Sequence, residues 1–272
     1  MTALSAAADL PQADSAGGDI LFRAEALHKS FGGVRAVRDI SLAVRNGSVF
    51  AVIGPNGAGK STLLNLMSGV YEPDSGSMTF AGEDLTGLPA HQRVRRGLAR
   101  TFQKIRLFKH LSVLDNVIAG FHTYHDLRAW QYLVHGTGFW RDHTRCRAKA
   151  AELLTFVGLE SRADVLAGSL AYGEQRMLEI ARALATGPRL LMVDEPAAGL
   201  NAAEVNVLLD RIRRLQASGL TIVVVEHNMD LVMKVAHRVL VMDYGQYLFE
   251  GTPAEVQANP AVVAAYLGGE MQ

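Results

Sequence analysis

Hydrophobic positions along the chain alternate between short solid blocks and longer periodic stretches. Three blocks read as buried strands: Ser48–Ile53, Leu190–Val193 and Thr221–Val225. Each is a continuous apolar run bounded by turn residues, the pattern of a strand covered on both faces. Ile20–His28 and Val37–Val44 read as two more strands joined by a loop, Lys29–Gly33, and a short strand is expected at Met78. Gln246–Phe249 pairs with Val239–Met242 across Tyr244-Gly245 as a hairpin.

The periodic stretches predict helices. One follows the first solid block at Leu63–Met67, and another runs from Leu88 to Leu98 with Pro89 in its first turn. Arg93, Arg95 and Arg96 in that second helix read as a solvated basic face. From Ser112 to Leu159 the period stays near 3.6, opened by the capping pattern Ser112-x-x-Asp115, and no strand is evident. Leu170–Arg176 opens a further amphipathic helix with Met177, Leu178, Ile180, Ala181 and Leu184 on its apolar face. Asn201-x-x-Glu204 starts a helix through Gln216, while Thr252-Pro253-x-Glu255 and Asn259-Pro260 start two short C-terminal ones. Residues 1–19, rich in Ala, Asp, Ser and Gly, read as a disordered tail.

The 272 residues are 49% hydrophobic and 20% charged, enough for a sizeable core. Twenty-seven basic residues balance twenty-seven acidic ones, so global charge gives no argument for nucleic acid as a partner. The single cysteine, Cys146, excludes an internal disulfide and a cysteine-based zinc site. Histidines 122, 125, 135 and 143 are too irregularly spaced for a metal centre, and they and Trp130 and Trp140 read as core, surface or partner contacts. No apolar run approaches the ~20 residues that span a bilayer. Work at a membrane therefore requires another chain to hold this one there.

Chemistry concentrates at the strand ends. Gly54-Pro55-Asn56-Gly57-Ala58-Gly59-Lys60-Ser61-Thr62 fits Gly-x-x-x-x-Gly-Lys-[Ser/Thr] and stands between a strand and a helix. Glycines let backbone N–H groups crowd a phosphate, and the helix turns its positive end to the anion. Lys60 can reach β- and γ-phosphates, and the Ser61 hydroxyl can ligate Mg²⁺. Leu190–Val193 runs straight into Asp194 and Glu195, the first placed to hold Mg²⁺ and the second to orient or deprotonate water. Thr221–Val225 runs into Glu226-His227; that imidazole is either structural or a γ-phosphate contact. Phe31 either stacks on a nucleotide base or plugs the edge of the core.

Taken in order, these landmarks resemble the nucleotide-binding subunit of ABC transporters over residues 20–268. Phe31 is similar to the adenine-stacking loop, Gly54–Thr62 to Walker A, and Gln103 to the Q-loop. Leu170–Gln175 is similar to the signature sequence, Leu190–Glu195 to Walker B, Ala198–Asn201 to the D-loop and His227 to the switch histidine. The wording of Arg100–Gln103, Leu170–Gly173 and Glu195–Asn201, and the ending Gly251-Thr252-Pro253…Tyr266-Leu267-Gly268, resemble the LivG type.

The resemblance implies a P-loop NTPase of α/β class: a RecA-like parallel core, an N-terminal antiparallel β subdomain, an α-helical subdomain inserted at about 104–170, and C-terminal helices over 253–272. It implies ATP and Mg²⁺ as cofactors, with Ser61, Gln103 and Asp194 as metal contacts and Glu195, His227 and Gln103 as catalytic groups. Ala171, Gly173 and Glu174 would touch nucleotide bound to a second ATP-binding subunit, identical or sister. Two permease subunits and, indirectly, a periplasmic solute-binding protein would complete an importer for branched-chain amino acids; the alternatives are a related importer for urea, amides or other amino acids, and after that a soluble ABC ATPase without a permease. The chain would sit peripherally on the cytoplasmic face of the inner membrane. One departure is plain. The usual Leu-Ser-Gly-Gly-Gln reads Leu170-Ala171-Tyr172-Gly173-Glu174 here, so the serine hydroxyl is missing at Ala171.

Overall fold

A computed structural model describes residues 19–121 and 136–268. The tail before Asp19, and the positions His122, His125, Trp130 and His135, lie outside the described residues, as do the side chains of Trp140 and His143.

Among the described residues, two sheets carry the fold. The larger has the order β10-β9-β3-β8-β7-β6. Its members are β3 (Val49–Ile53), β6 (Leu98–Arg100), β7 (Leu190–Asp194), β8 (Thr221–Val225), β9 (Arg238–Asp243) and β10 (Gln246–Gly251). Strands β9, β3, β8, β7 and β6 are mutually parallel, and only β10 runs against its neighbour. Every residue of β3, β7 and β8 is buried, as their unbroken apolar runs require. The smaller sheet, β2-β1-β4-β5, is antiparallel and is built on the long hairpin β1 (Ile20–Phe31) and β2 (Val34–Arg45). Its other strands are β4 (Ser75–Phe80) and β5 (Glu83–Asp84).

Helix α1 (Lys60–Met67) lies between the sheets and shares its core with Phe22, Phe50 and Phe80. On the other face of the large sheet, α3 (Val113–Phe121), α4 (Gly136–Val157) and α5 (Tyr172–Ala185) pack on one another and share a core with α6 (Ala202–Ala217). The capping patterns read from sequence form as expected. Ser112 Oγ accepts the Asp115 N–H at 3.0 Å, and Asn201 Oδ1 accepts those of Ala203 and Glu204 at 2.9 and 3.0 Å.

Three expectations are corrected. The strands of the first hairpin extend through Lys29–Phe31, and the turn shrinks to Gly32-Gly33, because Phe31 pairs directly with Val34. The helix after Pro89 stops early: α2 is Ala90–Arg95, and Leu98–Arg100 becomes the edge strand β6 beside β7. Gly97, at φ 99°, makes the turn between them, and the run Leu98-Ala99-Arg100 was too short to read as a strand. A helix absent from the sequence reading, α7 (Met229–Val235), is capped by Asn228, whose Oδ1 accepts the Leu231 N–H at 3.1 Å.

The third correction is Arg93, which is not solvated but 1% exposed. Its guanidinium donates to the carbonyls of Leu66 at 2.7 Å, Met67 at 2.9 Å, Leu88 at 2.8 Å and Leu85 at 3.0 Å. The first two are carbonyls at the C-terminal end of α1, which lack partners within the helix. Arg93 thus locks the end of α1 to the segment before α2, and burial pulls its pKa down.

At the far end of the chain, α8 (Pro253–Ala258) and α9 (Pro260–Gly268) close the open side of β9 and β3. The Tyr266 hydroxyl is buried beside the Gly54 backbone without a well-formed hydrogen bond, and burial pushes its pKa up to about 12.

Arg93→Ala takes the guanidinium from four carbonyls, of which Leu66 and Leu85 keep the N–H groups of Gly69 and Leu88, and is expected to cost about 3 kcal/mol, lowering Tm by roughly 6–12 °C; calorimetry showing a shift under 2 °C would contradict this. The unfolded chain releases the Tyr266 proton near pH 10 while the folded one holds it to about 12. Stability should therefore fall as pH rises through that window, and Tyr266→Phe should flatten the slope without lowering Tm at pH 7.

Candidate functional site

Parallel strands β3, β8 and β7 are adjacent and end together, so the residues that follow them meet along one edge. After β3 comes the glycine loop, after β8 comes Glu226-His227, and β7 ends in Asp194 with Glu195 next. Ligand sites in open α/β sheets lie at this edge.

The loop Gly54–Gly59 is shaped by close backbone approaches. A Cβ on Gly54 would fall 2.1 Å from the Met242 carbonyl oxygen, and one on Gly59 would fall 2.2 Å from that of Ala36. Both glycines have positive φ, 150° and 91°. The N-cap of α1, Gly59, supplies no side-chain hydrogen bond, so the first N–H groups of α1 face the loop uncapped by protein side chains. Lys60 is buried, and its Nζ donates to the carbonyls of Gly54 at 2.7 Å and Pro55 at 2.9 Å. Burial lowers its pKa, while Glu195 and Asp194 pull the other way.

Asp194 is 3% exposed. Its Oδ2 accepts from Arg100 at 2.8 Å, and its Oδ1 is buried without a hydrogen-bond partner. Arg100 also donates to Asn65 Oδ1 and Ser68 Oγ, binding the end of β7 to α1. Glu195 has φ 45°, a left-handed conformation held by the bond from its N–H to the Val225 carbonyl at 2.8 Å. Gln103 Nε2 donates to Glu195 Oε2 at 2.8 Å. The His227 side chain is 57% exposed at the same edge, its Nδ1 3.9 Å from Glu226 Oε2.

Phe31 does not plug the core: it is 43% exposed and meets Tyr71 edge-on, ring centroids 5.2 Å apart. Its hairpin reaches the glycine loop through Ala36, the residue against Gly59.

Ala171, Gly173 and Glu174 form a second group at the start of α5. Ala171 has no side-chain oxygen, so only half of a capping box forms: Glu174 Oε2 accepts the Ala171 N–H at 3.0 Å. Glu174 also pairs with Arg162 at 3.4 Å. A Cβ on Gly173 would fall 2.3 Å from Glu204 Oε1, so this glycine lets α5 meet the start of α6.

Sequence reasoning missed the pair that ties the two groups together. Arg176 and Glu179, one helical turn apart on α5, are both fully buried and lie 3.0 Å apart. Arg176 donates to the carbonyls of Phe102 at 2.8 Å and Gln103 at 3.0 Å. Glu179 accepts from the N–H groups of Phe102 and Arg106 at 3.3 and 3.4 Å. Burial pushes the Glu179 carboxyl up against the pull of Arg176. A charge before the apolar row Met177, Leu178, Ile180 and Ala181 and a second one inside it were the available signal. Beside this clamp, a groove of about 520 Å³ is lined by Phe102, Arg106, Phe108, Glu179 and Arg182, with Phe108 half exposed. A larger cavity of about 810 Å³, lined by Asn46, Phe156, Arg214 and Gly219, does not include the strand ends that carry these groups.

The fold and the loop geometry define a P-loop NTPase. The ABC transporter family model matches residues 37–198, and that of the branched-chain amino acid ATP-binding cassette transporter matches residues 248–271. The chain belongs to the ABC transporter family as an ATP-binding, ATP-hydrolysing subunit of the LivG type. It is 41% identical over 239 residues to the high-affinity branched-chain amino acid transport ATP-binding protein BraF of Pseudomonas aeruginosa, covering 88% of this chain and 94% of BraF. Identity is also 41% over 249 residues to LivG of Salmonella typhimurium, covering 91% and 98%. The lipopolysaccharide export system ATP-binding protein LptB of Escherichia coli is 34% identical, covering 92% and 98%. Among solved structures, a nucleotide-free ATP-binding cassette from an ABC transporter superposes with TM-score 0.80 at 31% identity, covering 91% of this chain and 99% of that one.

Glu179→Ala leaves Arg176 charged, buried and unpaired and should cost about 3–5 kcal/mol. The double change Arg176→Met with Glu179→Leu should recover most of that stability yet leave ATPase activity low, because Phe102 and Gln103 lose their anchor. Thermal melts and steady-state hydrolysis check both halves; full activity in the double variant would show that the clamp is dispensable.

Proposed function

We propose that the chain powers a membrane importer for branched-chain amino acids by binding and hydrolysing Mg²⁺–ATP. The observation that carries the catalytic part is the convergence of Lys60, Asp194, Glu195 and His227 along one sheet edge, with Gln103 already bonded to Glu195. The solute is inferred from the match at residues 248–271 and from the names of the BraF and LivG relatives.

Gly54–Thr62 wraps the phosphates with backbone N–H groups. Lys60 leaves the Gly54 and Pro55 carbonyls for the β- and γ-phosphates. Phe31, exposed on its hairpin, takes the adenine face. The buried Asp194 Oδ1, without a protein partner, suits a divalent cation, and Ser61, Gln103 and Asp194 would hold it. When bound, Mg²⁺ neutralises phosphate charge and polarises the bond to be broken. Glu195 takes the proton of the attacking water, Gln103 holds the Glu195 carboxylate in place, and His227 steadies the γ-phosphate.

Two ATP-binding subunits pack head to tail, the second being an identical or a sister chain. Ala171, Gly173 and Glu174 of each face the nucleotide on the other, mainly through the start of α5. ATP supplies charge that both surfaces need, so binding closes the pair and hydrolysis loosens it. The groove at Phe102, Arg106 and Phe108 receives a permease subunit. Through the Arg176–Glu179 clamp, closure there moves with α5. Among the described residues no helix is long and apolar enough to cross a membrane, which fits peripheral attachment to the cytoplasmic face through that permease.

Glu195→Gln is expected to keep ATP affinity within about threefold while turnover falls by two or more orders of magnitude; full hydrolysis by this variant removes Glu195 from the reaction. Ala171→Ser should change kcat by less than about tenfold, the worth of one hydrogen bond, and a larger gain would mean that the α5 terminus alone does not suffice. Co-purification of the chain with two permease subunits, and ATPase stimulation by a branched-chain amino acid with its binding protein, tests the transport assignment. Stimulation by another solute alone would refute that solute choice.

A further inference from the structure

Glu226 is a fully buried carboxylate that plays no part in the scheme above. It follows β8 and sits beneath two loops at once. Its Oε1 accepts the Ala197 N–H at 2.8 Å, and its Oε2 accepts those of His227 and Asn228, both at 3.1 Å. Ala197 lies two residues beyond Glu195, in a turn closed by the Ala198 N–H on the Glu195 carbonyl at 3.2 Å. A single side chain therefore joins the loop of Glu195 to the loop of His227.

The residue type matters. A packing role at this depth is met by an apolar side chain, whereas three converging N–H donors require acceptor lone pairs. A carboxylate supplies them on both oxygens. Glutamine of the same shape supplies them on one and turns an NH₂ donor toward the remaining N–H. Aspartate is a methylene shorter and cannot span both loops without moving one. Bonds to a charged acceptor are also stiffer than neutral ones.

We infer that Glu226 is a positioning residue for ATP hydrolysis: its carboxylate bridges the two loops and fixes the gap between Glu195 and His227. The inference rests on the reading that these two residues act at the γ-phosphate. Glu226 touches neither nucleotide nor water; it acts through the backbone of its neighbours. It also supports the left-handed turn at Glu195 from the side opposite the bond between the Glu195 N–H and the Val225 carbonyl, by holding Ala197 two residues further on.

The test uses the full-length chain with Glu226→Gln, His227→Ala and both together, with Glu195→Gln as a control. Glu226→Gln should lower kcat at least about tenfold while KM for ATP changes less than about threefold. In the His227→Ala background the same change should lower kcat by less than about twofold, because the two act as one unit. Wild-type kcat in Glu226→Gln, a rise in KM matching the fall in kcat, or full additivity in the double variant would each overturn the proposal. If Glu226→Gln does not fold, amide exchange in the wild-type chain decides. The Ala197, His227 and Asn228 N–H groups should all be strongly protected, and open-chain exchange at Ala197 would sink the bridge. An active Glu195→Gln control would instead refute the hydrolysis reading itself.

Discussion

The structure depends on the burial of three adjacent parallel strands, β3, β8 and β7. Their fifteen residues are all inside, so nothing ionisable can sit along them except at the ends. Asp194 closes β7 as a buried carboxylate, and Glu195, Glu226 and His227 come immediately after their strands. The same packing that makes the core therefore delivers the acids, the imidazole and the glycine loop to a common line. Hydrophobic burial sets the geometry, and the chemistry inherits it.

Holding that line requires buried charge elsewhere. Arg93 caps α1 from below, Arg100 ties α1 to Asp194, and Arg176 with Glu179 grips the backbone on both sides of Gln103. Buried ion pairs are poor sources of stability but good sources of fixed geometry. Each of these groups meets a backbone carbonyl, a backbone N–H or a site residue, so each fixes a loop or a helix end. The α5 helix carries the Arg176–Glu179 clamp and begins directly after Ala171, so the Phe102–Arg106 backbone and the start of α5 are held by one helix.

Much of this was legible in the chain itself. The solid apolar runs marked β3, β7 and β8, and the hairpin signal at Tyr244-Gly245 marked β9 and β10. Capping pairs marked α3, α6 and α8. The edge strand β6 escaped because three residues after a helical stretch carry no period of their own. Arg93 looked solvated because charge clusters usually are; its burial is set by the carbonyls at the end of α1, far away in sequence. Glu226 and the Arg176–Glu179 pair were hidden for a related reason: their partners are backbone groups, which every sequence has and none displays. The solute is less legible still, since LptB, whose name places it in lipopolysaccharide export, shares 34% identity with this chain.

The central claim is that the glycine loop, Asp194, Glu195 and His227 enclose one triphosphate. The most direct test is a crystal structure of the chain with Mg²⁺ and a non-hydrolysable ATP analogue. The account predicts that Lys60 Nζ leaves the Gly54 and Pro55 carbonyls for the β- and γ-phosphates, with the metal against Asp194. Lys60 still bonded to both carbonyls while nucleotide is bound, or phosphates lying away from the β3–β8–β7 edge, would contradict it.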